Sequence, residues 1–414
     1  MKTLLKSYKT EINPSLEQIS KINRTIGVCR FVYNLFISKN EERYKNKEKY
    51  INNYEFSKWL NNDFIPNNPD YNWIKDVSSK SVRNSIDNAN TAFMNYFNSL
   101  KKPKKKLTEK QLKKAEKRKR KGIIDNYPKR KKKNKNESSM YFVKKDSRTI
   151  IQCERHRIKI PTLGWVKLKE KGYFPTNAII KHGNISKKAG RYYVSITCEI
   201  ENNYNYKYTE FNEGIGIDLG IKDLAICSNK IVYKNINKTE TVRKLEKTLK
   251  RENRKFSRKL ENLKKDKRKE KSTQNIAKQK LRIAKLYQKL DNIRTDYINK
   301  TVNKIVKTKP SYITIEDLNI SGMMSNKHLS KSVASQKLYE FRTKITNKCK
   351  KYGIELRIVD RFYASSKTCH QCGNIKKDLL LKDRTYKCDK CGLIIDRDYN
   401  ASLNLRDAKE YITN

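Results

Sequence analysis

Four cysteines near the end of the chain constrain its fold more than any other feature. Cys369 and Cys372, then Cys388 and Cys391, are spaced C-x2-C-x15-C-x2-C, the pattern in which two turns each present two thiolates to one tetrahedral zinc. A glycine follows each pair, Gly373 and Gly392, and lets the backbone turn sharply enough to aim its amides at the sulfurs. Four thiolates fill the coordination sphere, so one structural Zn2+ is expected and the chemistry must lie beside it. Asp396-Arg397-Asp398-Tyr399-Asn400 follows almost directly and is the place to look.

Net charge narrows the partners. The 414 residues carry a formal charge of +54, from 97 Lys and Arg against 43 Asp and Glu. Self-repulsion on that scale opposes compaction unless a polyanion neutralises it, and a zinc ribbon beside it points to nucleic acid. A membrane is the rival polyanion, but there is no run of about 18 apolar residues and no secretory leader. Cys29, Cys153, Cys198, Cys227 and Cys349 lie scattered among apolar neighbours and read as buried free thiols in a reducing, cytoplasmic compartment. Lysine abundance alone argues little, because AT-rich coding would also raise Lys, Asn, Ile and Tyr. The placement of charge carries more weight, and a chain of this length is expected to form about two or three domains.

Residues 1–12 alternate as a strand does, and Asn13-Pro14-Ser15 stops it and caps a helix. Helical periodicity then dominates. Across 79–100, Val82, Ile86, Ala89, Phe93 and Phe97 share one face, which turns Lys80 and Arg83 outward, free to touch nucleic acid. Residues 101–135 hold 19 basic residues against three acids, too polar to bury a face, and are expected to be solvated until a polyanion arrives. From 139 to 201 short alternating runs separated by turns at 161–164 and 188–190 predict a small antiparallel β-barrel, to which the opening strand returns.

A buried strand, GIGIDL at 214–219, opens the last domain and ends in Asp218. Two further strands at 224–228 and 231–233 complete a meander. Residues 243–309, with 25 basic and seven acidic residues, suit two long helices joined by a charged loop at 264–273. The strand YITI at 312–315 runs into Glu316, a helix spans 332–352 with Gly353 as its stop, and a strand follows at 355–359. Asp218 and Glu316 thus end strands, and Asp398 begins a helix. Drawing carboxylates together costs repulsion unless divalent cations sit between them, and two Mg2+ about 3.5 to 4 Å apart are the usual machinery of phosphodiester cleavage. Strand-terminal acids also serve as caps or turn formers, so the spacing by itself leaves both roles open.

Resemblance weights the choice. Gly214-Ile-Gly-Ile-Asp218-Leu-Gly-Ile-Lys222, Ile315-Glu316-Asp317-Leu318-Asn319 and Asp396-Arg-Asp398-Tyr-Asn-Ala401 resemble the three RuvC motifs of the TnpB family, transposon-associated RNA-guided DNA nucleases similar to miniature type V CRISPR effectors. Tyr8 to Asn34 resembles the family's N-terminal signature, and Phe362 to Cys369 its approach to the ribbon, so the likeness spans nearly the whole chain. It implies an α/β multidomain fold: a wedge-type β-barrel (1–12 and 139–205), a helical recognition lobe (13–138, with the basic arm 101–135) and an RNase H-like (RuvC) nuclease domain (213–414). That last domain would hold the helical insert 243–309 and the zinc ribbon 366–395. The arm is longer and more basic than the family pattern.

The same resemblance makes Asp218, Glu316 and Asp398 the catalytic acids that bind two Mg2+, Asp398 being preferred to Asp396 because it stands two positions before Asn400-Ala401. Asp223, Asp317 and Asp396 are left as turn or supporting acids, and Arg397 as a phosphate ligand or a partner of Asp396. Lys367 and Arg397 join Lys80 and Arg83 as expected nucleic-acid contacts. The partners implied are a guide RNA and double-stranded target DNA, acted on by a monomer in a prokaryotic cytoplasm. A type V effector of the same chemistry and a guided binder without cleavage are the alternatives. The presence of all three acids weighs against the binder, and the lack of a second Cys or His cluster in the N-terminal half against the effector.

Overall fold

The computed structural model describes residues 3–101, 116, 120, 126–133, 139–143, 151–176, 178–201, 208–265, 269–380 and 383–413. They fall into two compact units, Met1–Asn203 and Tyr204–Asn414. Among the described residues no helix is long and apolar enough to cross a membrane.

In the first unit the strand β1 (Thr3–Asn13) stops before Pro14, and Ser15 caps α1 (Leu16–Lys45). The Ser15 side chain accepts from the Gln18 N–H while the Gln18 side chain accepts from the Ser15 N–H, a reciprocal cap that satisfies two otherwise orphaned donors. Val28, Val32 and Phe36 of α1 pack with Phe56 of α2 (Asn53–Trp59) and with Val82, Ile86, Ala89 and Phe93 of α3 (Ser79–Lys101). The periodic face of α3 is therefore core, and Lys80 and Arg83 are exposed.

Residues 126–133, the end of the basic run expected to be solvated, are instead fastened to α1. Tyr127 meets Phe93 edge-on, Asn34 exchanges two hydrogen bonds with the Lys131 backbone, and the Lys131 ammonium lies 4.0 Å from the Tyr33 ring. One aromatic anchor and a cation over a ring outweigh the polarity of the segment. Apart from Lys101, Glu116 and Arg120, the rest of the run lies outside the described residues.

Five more strands, β2 (Ser139–Val143), β3 (Arg157–Ile160), β4 (Gly164–Leu168), β5 (Ile179–Lys188) and β6 (Arg191–Glu201), join β1 in one antiparallel sheet of order β2-β5-β6-β1-β4-β3. β1 runs beside β6 from Thr3↔Glu201 to Ile12↔Tyr192, and alternation buries Ile158, Ile160, Val166, Val194 and Ile196. β2 and β3 are edges among the described strands, so the expected barrel is open, a half-barrel. Within the alternating runs expected from 139 to 201, residues 144–150 lie outside the described residues, and Ile151 is buried without joining a strand.

The second unit opens with the meander β7 (Ile215–Leu219), β8 (Asp223–Cys227) and β9 (Val232–Lys234). The helical pair α4 (Glu240–Lys265) and α5 (Lys269–Lys307) follows, then β10 (Tyr312–Glu316), α6 (Ile320–Ser325), α7 (Ser330–Gln336), α8 (Leu338–Tyr352) and β11 (Glu355–Val359). A small hairpin, β12 (Thr385–Lys387) and β13 (Ile394–Asp396), leads into α9 (Arg397–Arg406) and β14 (Ile412–Thr413). The large sheet has the order β14-β11-β10-β7-β8-β9, with β10 parallel to both neighbours.

Its two faces follow from GIGIDL. Ile215 and Ile217 join Ile313 and Ile315 in a core with Ile298, Val302 and Ile305 of α5 and Phe341 and Ile345 of α8. Gly216 alternates to the other face, where a Cβ would lie 2.0 Å from the Ser402 carbonyl oxygen and 2.3 Å from the Arg406 nitrogen. Only glycine lets α9 rest directly on β7.

Two expectations are corrected. The charged loop at 264–273 is shorter, because α5 already begins at Lys269; Lys and Glu are good helix formers, and charge alone does not end a helix. The single helix expected at 332–352 is two, broken where Lys337 takes φ 54°. A non-glycine residue there costs about 1 kcal/mol or more, and the Lys337 ammonium offsets it by bonding Asp291 at 2.8 Å and Thr295 at 2.6 Å on α5 and Glu340 on α8.

Candidate active site and metal centre

Strand register sets the first two acids side by side. β7 and β10 pair as Ile313↔Ile215, Thr314↔Gly216 and Ile315↔Ile217, so the next residues in step are Glu316 and Asp218. Adjacent strands lie about 4.8 Å apart, and both acids share the face of Gly216. That face is covered by α9, whose first turn carries Asp398. The close approach at Gly216 thus brings the third acid to the other two.

Their proximity registers as electrostatics. Asp218 is pushed up to about 8, first by burial, then by the negative charges of Glu316 and Asp398, with Arg397 opposing. Glu316 is also raised by burial, against a hydrogen bond donated by the Ser365 hydroxyl. Asp398 is held by Arg397 at 3.3 Å and Arg384 at 3.4 Å. As placed, the acids are close enough to repel but do not close around a single ion; among the described residues the four cysteines are the one group of three or more ligands that does.

Those thiols lie within 4.8 Å of one another, with Cys369 to Cys391 at 3.6 Å and Cys372 to Cys388 at 3.5 Å. A tetrahedral zinc with Zn–S near 2.3 Å needs sulfurs roughly 3.8 Å apart, so the set fits. Gly373 and Gly392 both take φ 72°, and their N–H groups donate to the Cys369 and Cys388 carbonyls.

The ribbon is stitched to α9 by two buried asparagines. Asn400 donates to the Thr368 carbonyl at 2.7 Å and accepts from the His370 N–H at 3.1 Å; Asn404 donates to the Ser365 and Thr368 carbonyls, each at 2.7 Å. Asp396 is exposed and spends its carboxylate capping α9, accepting from the Asp398 and Tyr399 N–H groups. This gives a local reason for Asp398, rather than Asp396, to face the other acids.

Of the remaining expectations, Arg397 pairs with Asp398 rather than Asp396, and also donates to the Leu380 carbonyl. Lys367 is half-buried and donates to the Lys377 carbonyl at 3.1 Å, within the ribbon. Lys80 and Arg83 belong to the first unit. Asp317 is committed to Arg342 at 2.6 Å and Arg361 at 2.7 Å, which hold it below the usual carboxylate range. Sequence reasoning missed Ser365; its only signal was its place within the Phe362–Cys369 stretch.

Three family models match the chain: a helix-turn-helix domain of the OrfB/IS605 group over residues 1–49, a "Probable transposase" over 195–327, and a Cas12f1-like TNB domain over 339–405. A protein named "Putative RNA-guided DNA endonuclease InsQ" from Escherichia coli (strain K12) is 26% identical, with 97% of this chain and 91% of that protein covered. A "Putative RNA-guided DNA endonuclease" from Streptomyces pristinaespiralis is 24% identical, with 98% and 89% covered. "TnpB-like protein L79" of Acanthamoeba polyphaga mimivirus is 28% identical over 48% of this chain and 38% of its own length. The chain is thus similar to transposases of the OrfB/IS605 group and to proteins named RNA-guided DNA endonucleases. The matched segment 339–405 holds all four cysteines and Asp398. Among the described residues of 1–49, the stretch matched by the helix-turn-helix description, Thr3–Asn13 form strand β1 and Leu16–Lys45 the single helix α1.

Proposed function

We propose that this chain is an RNA-guided DNA endonuclease. It binds a transposon-derived guide RNA, recognises a short motif beside its target in duplex DNA and hydrolyses phosphodiester bonds in a RuvC-type, RNase H-like domain. Asp218, Glu316 and Asp398 are its catalytic acids, the half-barrel and helices of the first unit its wedge and recognition lobe. The reading is supported above all by the three carboxylates, drawn from two parallel strand ends and a helix start onto one face, where Glu316 and Asp398 add to burial in raising the proton affinity of Asp218. A cluster of that kind is costly for folding alone and suits divalent cations. The names of the relatives point to the same activity.

Asp218, Glu316 and Asp398 would hold a pair of Mg2+ ions, which supply, when bound, activation of water and charge compensation at the phosphodiester oxygens. Asp218 keeps its proton near neutral pH while the acids face one another, and bound cations would favour its carboxylate form. Ser365 fixes one oxygen of Glu316 and leaves the other to the site. Arg384 and Arg397 hold Asp398; guanidiniums freed from it are suited to a backbone phosphate. The cysteine ribbon, through Asn400 and Asn404, fixes the start of α9 and with it Asp398. Sequence is read by base pairing with the guide, and the basic helices grip backbone.

The test is cleavage of a guide-matched plasmid in Mg2+ after sequencing the RNA that copurifies. Asp218→Ala is expected to abolish cutting while leaving DNA binding nearly intact. Cutting that persists in this variant overturns the site assignment.

A further inference from the structure

We infer that Gln336, acting with Asn235 and Lys238, is a positioning residue for Asp218: the three side chains grip the consecutive carbonyls of Gly220, Ile221 and Lys222 in the turn that follows β7. The inference rests on the catalytic role proposed for Asp218.

The turn has little of its own to hold it. Its closing backbone bond, from the Gly220 N–H to the Leu224 carbonyl, is long at 3.4 Å. Side chains from elsewhere take over. Gln336 Nε2 donates to the Gly220 oxygen at 3.1 Å and the Ile221 oxygen at 3.5 Å. Asn235 Nδ2 donates to the same Ile221 oxygen at 2.7 Å, and Lys238 Nζ to the Lys222 oxygen at 2.8 Å. Gln336 is only 3% exposed and Asn235 9%, so these bonds face little competition from water.

The grip is itself anchored on the helical pair. Asn237 Nδ2 donates to Gln336 Oε1 at 3.1 Å and to the Ser335 carbonyl at 3.2 Å, while its Oδ1 accepts from Arg294 of α5 at 2.7 Å. Arg294 in turn bonds Glu246 of α4 at 2.8 Å. The left-handed break at Lys337, immediately after Gln336, is held on α5 by Asp291 and Thr295. Both the backbone and the amide of Gln336 are thus set by α5, and Asp218, two residues before Gly220, inherits that setting. Outer groups that orient metal-binding side chains commonly change metal affinity or activity by about 10- to 100-fold when lost.

The test compares wild type, Gln336→Leu and two Lys238 variants as guide-loaded complexes. Gln336→Leu is expected to raise the Mg2+ concentration for half-maximal cleavage about tenfold, leave the Kd for guide-matched DNA unchanged and speed amide hydrogen exchange across residues 219–224. Lys238→Met, at an exposed position, shifts the Mg2+ midpoint the same way by about threefold, the scale of one lost hydrogen bond, and Lys238→Arg restores it. A purely structural role would lower the melting temperature of Gln336→Leu but leave the midpoint and the exchange per folded molecule unmoved. That outcome, or wild-type behaviour throughout, overturns the inference. If Asp218→Ala still cuts, the endonuclease reading fails instead, and the exchange measurement still decides the grip on the turn.

Discussion

The two clusters of ligand-forming side chains in the second unit are assembled in opposite ways. The four thiols come from one short ribbon, residues 369–391, and two turns suffice to bring them within 4.8 Å of one another. The three acids come from positions 218, 316 and 398 and meet only once β7 and β10 have paired in parallel and α9 has docked over Gly216. The first site is closed by local backbone geometry, the second by tertiary structure. A local site tolerates its neighbours' movement, whereas a tertiary one depends on every element that aligns it. The two are also joined, since Asn400 and Asn404 tie the ribbon to the helix that carries Asp398.

The difference is most sharply broken at the acids. Glu316→Gln keeps the shape of the side chain but removes its charge, and is expected to cut cleavage roughly a thousandfold, the scale of losing one preorganised electrostatic group. Zinc content, measured by mass spectrometry, should stay at one per chain. Loss of zinc in this variant would mean that the two sites are not separately assembled. The converse change is Cys388→Ser, expected to release zinc, lower the melting temperature and reduce cleavage about a hundredfold through misplacement of α9. A zinc-free variant that folds and cuts normally would leave the ribbon without a role in positioning Asp398.

Local against tertiary assembly also explains what could be read from the chain. The C-x2-C spacing located the thiol cluster without any fold, because both pairs sit on turns whose geometry glycine dictates. The strands at 215–219 and 312–316 and the helical face of Val82, Ile86, Ala89 and Phe93 were legible because period 2 and period 3.6 survive in the sequence. Periodicity does not report a backbone break, so the kink at Lys337, fixed by Asp291 and Thr295 on another helix, went unread. Nor does it report a hydrogen bond between distant positions, which is why Ser365 on Glu316 had to wait for the fold. The motifs made Asp398 the choice over Asp396, and what they do not carry is the helix cap on which the Asp396 carboxylate is spent. The packed segment 126–133 was hidden by its charge, since one tyrosine outweighs its lysines only when an aromatic cluster is there to receive it.

Ser365→Ala tests the tertiary site more gently. It removes the hydroxyl that donates to Glu316 and leaves the acids in place. Cleavage is expected to fall about tenfold, with recovery at higher Mg2+, because an oriented carboxylate binds cations better than a mobile one. Zinc content and melting temperature should not change. An equal loss at all Mg2+ concentrations would assign Ser365 a role other than orienting Glu316.

The smallest effect concerns what the tertiary site costs the fold. Asp218 lies near 8 in the folded chain against an ordinary value of 3.8, raised by burial and by Glu316 and Asp398. Between those limits the folded protein holds a proton that the unfolded chain releases, so stability is greatest at the acid end and is lost as pH rises through the window. In Mg2+-free buffer the melting temperature of the wild type is therefore expected to fall from pH 5 to pH 8 by more than that of Asp218→Asn, which cannot ionise. The variant should melt about 5 °C higher at pH 8 and nearly level at pH 5. Adding Mg2+ should close the gap at pH 8 by stabilising the wild type alone. A gap of equal size at both pH values would mean that the acids do not repel through Asp218, and the contrast with the thiol cluster would then lose its energetic basis.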